Sequence, residues 1–255
     1  MSGIQLLLVV CPALFLTGLV DAVAGGGGLI SLPVFLMTGL PPRTAFGTNK
    51  FIAMTGSLTA SYRYLKSGYF DKRPAFTLAA TMVVGELLGT GLVYLVPEWF
   101  FSGFLSVVLP LAAIFTIVSG KTFQYERKKI ESGSPRETRI LLAVGLVIGL
   151  YAGTVAAAGA TLGMILLCAF IHYDVRTANG TLKFAMPIGT AVAFVVFVIN
   201  GNVAWMVAIP AMLCNMLGNY MGSGLAVKNG AKIVRPVALV VVLCYTIKTF
   251  AGFIS

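Results

Sequence analysis

Long apolar runs alternate with short polar stretches along the chain, and the lengths of these runs predict its elements. A helix of about 20 apolar residues is long enough to cross the roughly 30 Å hydrocarbon core of a bilayer. Two runs, residues 28–39 and 161–172, are shorter, and a helix of about 12 residues covers only about 18 Å. The pattern predicts an all-α, polytopic membrane protein with two short half-helices and eight long transmembrane helices. The long helices are expected at residues 4–24, 43–67, 73–96, 99–120, 139–157, 176–200, 203–227 and 234–253.

Composition agrees with this class. Hydrophobic residues make up 58% of the 255 residues and charged residues 10%, whereas soluble domains carry about 45–50% apolar and about 25% charged residues. The formal net charge of +10 does not indicate a nucleic acid partner, because basic residues collect in the cytoplasmic loops of membrane proteins. The four cysteines stand singly in apolar segments and the chain has one histidine, so we expect no metal site, disulfide framework or cofactor.

One charged sequence motif, called here the repeated phrase, occurs twice. RTAFGTNKF at residues 43–51 returns as RTANGTLKF at residues 176–184, with seven of the nine letters unchanged. The same offset of 133 residues also aligns six glycines of the first half with six of the second. The aligned pairs are Gly26 with Gly159, Gly56 with Gly189, Gly68 with Gly201, Gly85 with Gly218, Gly89 with Gly222, and Gly91 with Gly224. We therefore predict two homologous halves, residues 1–120 and 139–255, joined by a connector at residues 121–138.

The distribution of basic residues predicts that the two halves are inverted. The connector is rich in lysine and arginine, which places it in the cytoplasm. The basic loop near Lys72 is separated from the connector by two membrane crossings, so it also lies inside. The equivalent loop of the second half, residues 200–202, has no charge and is expected outside. Equivalent loops then lie on opposite faces, which requires an odd number of membrane segments in each half.

Four consecutive glycines at residues 25–28 interrupt the apolar pattern before the first half-helix. Each glycine in a helix interior costs about 1 kcal/mol relative to alanine, so the run should break the helix and leave backbone amides unpaired. Such amides at a helix N-terminus suit an anion, which makes Gly26, Gly27 and Gly28 candidate ligands. The alternative is a tight turn that lets helices pack closely. The second half reads AAAGAT at residues 156–161, so its break is expected to be less complete.

The repeated phrase carries the candidate cations. Lys50 lies seven residues into its helix, about 10 Å below the surface, and Lys183 enters from the opposite side at a comparable depth. Buried ionisable residues in a membrane are functional candidates by default. We predict that the two lysines line one anion pocket near the bilayer midplane, where inverted-repeat transporters hold substrate. The hydrogen-bonding residues assigned to this pocket are Thr48, Asn49 and Thr181.

Two carboxylates complete the set of buried charges. Asp21 and Glu86 lie within predicted membrane helices, where an unpaired carboxylate must be protonated or find a partner. Either they carry a coupled proton, or they pair with Lys50 and Lys183 as structural ion pairs. Arg43 and Arg176, near the membrane surface, fit interfacial anchors better than ligands.

The stretch GGGGLISLP, the Gly-Leu-Pro turn after it and AFGTNK resemble the sulfite exporter TauE/SafE family, in particular its YfcA-like branch. RTANGTLK and GNYMGSGLAVK extend the resemblance through the second half. It implies an integral-membrane permease that exports sulfite, sulfonates or related organosulfur anions and has no enzymatic activity.

The expected function is therefore secondary transport of small sulfur-containing or organic anions across the inner membrane, with export and proton coupling as its finer features. A channel-like anion permease is the alternative. The chain has no phosphate-binding GxxxxGK[ST] motif, so intrinsic use of ATP is not expected. The partners are a small anion and the lipid bilayer, with no nucleic acid, and a homodimer is left open.

Overall fold

The computed structural model describes residues 3–118 and 134–229, and every regular element in those two ranges is helical. This confirms the all-α prediction, and the helices lie close to the predicted positions. The predicted helix at residues 234–253 and most of the connector lie outside the described residues. The described helices are α1 (Gly3–Ala24), α2 (Gly28–Met37), α3 (Pro42–Lys66), α4 (Lys72–Leu95), α5 (Glu98–Val118), α6 (Pro135–Val155), α7 (Gly159–Leu166), α8 (Val175–Ile199) and α9 (Trp205–Asn229).

Within the described ranges, three helices are long and apolar enough to cross a membrane: α4, α6 and α8. Large apolar side chains are exposed on the outer surface of the bundle, as on α4 at Val84, Leu88 and Leu92. Exposed apolar surface of this extent marks contact with lipid or protein. The all-helical bundle therefore has the surface of a membrane protein.

Both predicted half-helices are present, and each follows a break in the backbone. Gly25, with φ of +76°, ends α1, and its amide donates to the carbonyl of Asp21 at 3.0 Å. In the second half Ala156 and Ala158 adopt left-handed φ angles of 50° and 56°, a conformation that is uncommon outside glycine. The expectation of a less complete second break is not met, because alanine is small enough to take the conformation that glycine takes more easily. α7 continues into a π-helical turn, Leu167–Ile171.

Glycines bring the main helix pairs into close contact. On α4, a Cβ added at Gly85 or Gly89 would overlap the backbone of α6, and on α9 a Cβ added at Gly218 or Gly222 would overlap the backbone of α1. Small residues at helix interfaces allow this close approach in membranes. Gly85 and Gly89 therefore let α4 pack closely on α6, and the glycines aligned with them, Gly218 and Gly222, let α9 pack closely on α1.

The glycine within each copy of the repeated phrase has an equivalent role at a loop. Gly47 lies against the carbonyl of Asn202, in the loop before α9, and Gly180 lies against the carbonyl of Tyr69, in the loop before α4. A side chain at either glycine would meet the loop backbone, so each copy fixes a loop of the other half.

The arginine of each copy binds the C-terminal end of a neighbouring helix. The guanidinium of Arg43 donates to the carbonyls of Val93 and Val96 at the end of α4. That of Arg176 donates to the carbonyl of Lys228 at the end of α9 at 3.3 Å. A cation at a helix C-terminus is favoured by the helix dipole and by the unpaired carbonyls there. These contacts agree with the interpretation of both arginines as anchors.

Candidate functional site

A cavity of about 50 Å³ lies where the broken helices meet α3, α4, α8 and α9. This volume and the polar groups in its lining suit several water molecules or a small ion. Six of the ten residues assigned to the site from the sequence line it: Asp21, Gly27, Gly28, Asn49, Lys50 and Glu86. The other lining residues are small or apolar for the most part, and the polar ones among them are Thr17, Ser31, Ser57, Thr190 and Asn215.

Lys50 is bound to a carboxylate of the neighbouring helix. Its Nζ lies 2.5 Å from Oε2 of Glu86 and donates to the carbonyl of Ala152 at 2.8 Å. The two side chains are 3% and 0% exposed. The other carboxylate oxygen of Glu86 accepts a hydrogen bond from Thr190 at 3.0 Å. In this structure Lys50 therefore forms a buried ion pair with Glu86, which is one of the two alternatives that the sequence left open for this carboxylate.

Asn49 and Ser31 form a neutral hydrogen-bonding wall beside Lys50. The hydroxyl of Ser31, on α2, donates to Oδ1 of Asn49 at 2.5 Å. The amide nitrogen of Asn49 faces the carbonyl of Ala156, at the second break, at 3.4 Å. Asn49, on α3, thus bonds both to the first turn of α2 and to the backbone at the second break.

Asp21, in the last turn of α1, lies beside the start of α2 and makes two charge-assisted contacts. Oδ1 accepts from the backbone amide of Gly27 at 3.4 Å, and Oδ2 lies 2.5 Å from Nζ of Lys183. The Asp21 side chain is 16% exposed and lines the cavity, whereas Lys183 is fully buried behind it. The amide that was predicted to bind an anion is therefore occupied by a carboxylate of the chain itself.

Three further predicted residues do not line the cavity. Thr48 is buried, and its Oγ1 accepts from the amide of Ala204 at 3.0 Å, which fixes the start of α9. Thr181 is buried, and its hydroxyl has no hydrogen-bond partner among the described residues. Gly26 is buried in the first break, beside Leu29 and Val20. With Lys183, these residues surround the cavity without facing it.

Sequence reasoning missed several polar residues of the lining, and for some of them a signal was available. Asn215 and Asn219 are four residues apart on an otherwise apolar helix, which places both amides on one face. Asn215 lines the cavity, and its amide donates to the carbonyl of Leu14 at 3.1 Å. Ser31 and Thr190 carried no signal, because single hydroxyls are common in membrane helices and bond to their own backbone.

Two different clusters adjoin the cavity. Beside Lys50, whose Nζ lies 5.6 Å from the ring of Phe46, an aromatic cluster joins Phe46 to Phe101 and Phe197 with centroids 5.5 Å apart. Beside Asp21, the hydroxyl of Tyr64 donates to the carbonyl of Ala22 at 3.1 Å. The amide of Asn179 donates to that hydroxyl at 2.8 Å. One neighbour of the cavity is therefore packed apolar surface, and the other is a hydrogen-bonded network.

The cavity does not resemble a metal site. Within residues 3–118 and 134–229 no group of three or more histidine, cysteine, aspartate or glutamate side chains could hold a metal ion. What the arrangement offers instead is one ammonium, backbone amide and side-chain amide donors, and a carboxylate that competes for the ammonium.

Comparisons with known proteins agree with the helical architecture. The family model for the sulfite exporter TauE/SafE matches residues 10–249 of the chain. A "Probable membrane transporter protein" of Haemophilus influenzae is 27% identical over 248 residues, which is 96% of this chain and 95% of that protein. The "Probable membrane transporter protein ORF9" of Sinorhizobium is 29% identical over 241 residues, covering 94% and 90% of the two chains. The "Probable membrane transporter protein YfcA" of Escherichia coli K12 is 27% identical over 235 residues, covering 89% and 82%. No solved structure matches the chain.

The pair of Asp21 with Lys183 gives a prediction about stability. Lys183→Met leaves the Asp21 carboxylate without its cation, and breaking a buried ion pair in this way costs about 3–5 kcal/mol. The double variant Asp21→Asn with Lys183→Met removes both charges, so we expect it to recover most of the lost thermal stability of the purified protein in detergent. Lys66→Met, at the exposed end of α3, is the matched control and should unfold like the unmodified protein. Equal instability of the single and double variants would contradict the pairing.

Proposed function

The chain belongs to the sulfite exporter TauE/SafE family, and from this we propose that it is a secondary transporter that exports small sulfur-containing or organic anions. Its relatives are named as membrane transporters, which supports transport as the general activity. The anion class, the outward direction, the inner membrane and a coupled proton are our proposals. A homodimer is not part of the proposal.

The observation that carries this proposal is the position of Lys50. Its ammonium lines the cavity at the meeting point of two helix breaks, next to the hydrogen-bonding pair of Asn49 and Ser31. Broken helices around a central cavity are where transporters bind substrate, because irregular backbone inside a membrane needs protein or water around it. In this proposal Lys50, Asn49 and the amide of Gly28 contact the anion, and the amide of Gly27 stays bonded to Asp21. Lys183 acts through Asp21, and Thr48, Thr181 and Gly26 keep the surrounding backbone in place.

We further propose that the two halves are inverted repeats that move relative to each other. Each helix has a counterpart in the other half: α1 corresponds to α6, α3 to α8 and α4 to α9. When every helix is replaced by its counterpart, the contact of α4 with α6 becomes that of α9 with α1, and the contact of α3 with α9 becomes that of α8 with α4. All four of these contacts are present. The counterparts α3 and α8 pack directly against each other, so their contact is the same after the replacement. In this scheme the cluster of Phe46 and the network of Tyr64 close the cavity toward opposite faces, and each would open in turn.

A channel-like permease is the alternative, and transport kinetics separate the two. A cavity with closures on both sides predicts that the protein exposes its site to one face at a time. Counterflow of radiolabelled sulfite into proteoliposomes preloaded with unlabelled sulfite should then be saturable and exceed uptake into empty vesicles. Flux that rises linearly with concentration and shows no counterflow would favour the channel.

Anion binding should depend on Lys50. Lys50→Met alone would leave the Glu86 carboxylate without its cation. The comparison is therefore between Glu86→Gln, in which Lys50 lines the cavity, and the double variant Glu86→Gln with Lys50→Met, in which no lysine does. A charge-assisted hydrogen bond is worth about 1.5–3 kcal/mol, so we expect the added Lys50→Met change to weaken binding of sulfite or methanesulfonate about tenfold to a hundredfold. Calorimetric titration measures this, with Lys66→Met in the same background as control. Equal affinities with and without Lys50 would contradict the proposed site.

Inversion of the halves gives a prediction about membrane topology. Ser67 and Asn200 are exposed and occupy equivalent positions, at the ends of α3 and α8. Single cysteines placed there in a background without native cysteines should react from opposite faces in whole cells. We expect an impermeant maleimide to label Asn200→Cys directly and Ser67→Cys only after the membrane is permeabilised. Labelling of both from the same face would rule out inverted repeats.

A further inference from the structure

The charged side chains at the cavity leave no ammonium unpaired. Lys50 is paired with Glu86 and Lys183 with Asp21, so among the described residues at this site two cations balance two anions. Both lysines are nearly inaccessible to bulk solvent, at 3% and 0% exposure. An anion that enters a site of this kind finds its cation already occupied.

The two pairs differ in how firmly each carboxylate is held. Asp21 is bound by Lys183, whose ammonium lies behind it and does not line the cavity, and by the amide of Gly27 at the start of α2. Glu86 is bound by Lys50, which itself lines the cavity, and by the hydroxyl of Thr190, which also lines it. A hydroxyl can donate to a carboxylate or to the carbonyl oxygen of a carboxylic acid, so Thr190 can hold Glu86 in either protonation state. Glu86 is therefore the carboxylate that an arriving anion can displace.

Displacement without a proton would place two anions around one ammonium in a buried site. Like charges at such a distance disfavour joint ionisation, and one carboxylate takes up a proton. The groups that face Glu86 do not relieve this: α3 presents Lys50, α8 presents Thr190 and Gly189, and α6 presents backbone at Gly149 and Gly153. Asp21, which also lines the cavity, is already paired with Lys183 and supplies no positive charge.

We propose that each anion binds together with one proton, which is taken up by the carboxylate of Glu86 as the anion replaces it at Lys50. The Nζ of Lys50 then exchanges a carboxylate partner for the substrate anion, and Glu86 remains as a neutral acid bonded to Thr190. No other bond forms or breaks, and the charge of a monoanion is balanced by the proton. The inference rests on the proposed anion site and adds its coupling to it.

The direction of coupling follows from the same balance. If Glu86 were protonated while the site was empty, Lys50 would be buried without any counter-charge, which is strongly unfavourable. The proton and the anion therefore enter and leave together, and exchange of one for the other across the membrane is excluded. A monoanion moves without net charge, so an inward proton gradient opposes its export and an outward gradient of the anion must drive it. A dianion carries one net negative charge, which a membrane potential that is negative inside drives outward.

The test is the number of protons taken up per anion bound by the full-length protein in detergent. Calorimetric titrations with methanesulfonate, isethionate and sulfite are run in buffers that differ in ionisation enthalpy. Methanesulfonate and isethionate remain monoanions across the pH range used, and the titration of free sulfite is subtracted. We expect uptake of about one proton per anion bound. The apparent Kd should then rise about tenfold per pH unit.

Variants assign the proton to a residue. Glu86→Gln keeps the side-chain shape and an oxygen for Thr190, so it should bind anions with no proton uptake and with a Kd that no longer depends on pH. Glu98→Gln, at an exposed carboxylate at the start of α5, is the matched control and should keep the proton count of the unmodified protein. If Glu86→Gln does not fold, a proton count of zero in the unmodified protein still overturns the proposal.

The outcomes separate the two proposals. Binding of an anion without proton uptake, or uptake that persists in Glu86→Gln, overturns the coupling and leaves the anion site standing. Absence of binding by all three anions overturns the proposed function itself. A count near one that is lost in Glu86→Gln supports both.

Discussion

A lysine ammonium in the interior of a membrane protein needs a counter-charge within contact distance, and this requirement organises the centre of the molecule. A buried ion without a partner costs several kcal/mol, more than most single contacts return. Lys50 finds Glu86 on α4, and Lys183 finds Asp21 on α1, each at 2.5 Å. Both ion pairs require the helices to lie close together, and the glycines between the helices allow this close approach.

The helices and the two short elements could be predicted from the sequence because they depend on local properties. Apolar length sets the long helices, and the glycine run sets the first break. The identity of the ion pairs could not be predicted, since Asp21 and Glu86 were equally plausible partners for either lysine until the helices were placed. The second break was underestimated for a different reason. Ala156 and Ala158 take a left-handed conformation that their residue type disfavours, and only the tertiary structure imposes it.

The cavity is polar on one side because the two copies of the sequence have diverged at the positions that face it. The first half contributes Ser31 and Asn49, where the second half has Met164 and Leu182. The repeated phrase explains the common framework: its arginines bind helix ends, its glycines fix loops and its lysines are paired. In the proposed repeat, duplication accounts for the shared backbone and divergence accounts for a single asymmetric site.

The central claim is that an anion takes the place of Glu86 at Lys50. Its most direct test is an experimental structure of the protein soaked with selenite, in which selenium is located by anomalous scattering. The account predicts selenite within hydrogen-bonding distance of the Lys50 ammonium, beside Asn49, with the Glu86 carboxylate moved off Lys50 and still bonded to Thr190. Selenite bound elsewhere, with the pair of Lys50 and Glu86 intact, would contradict it.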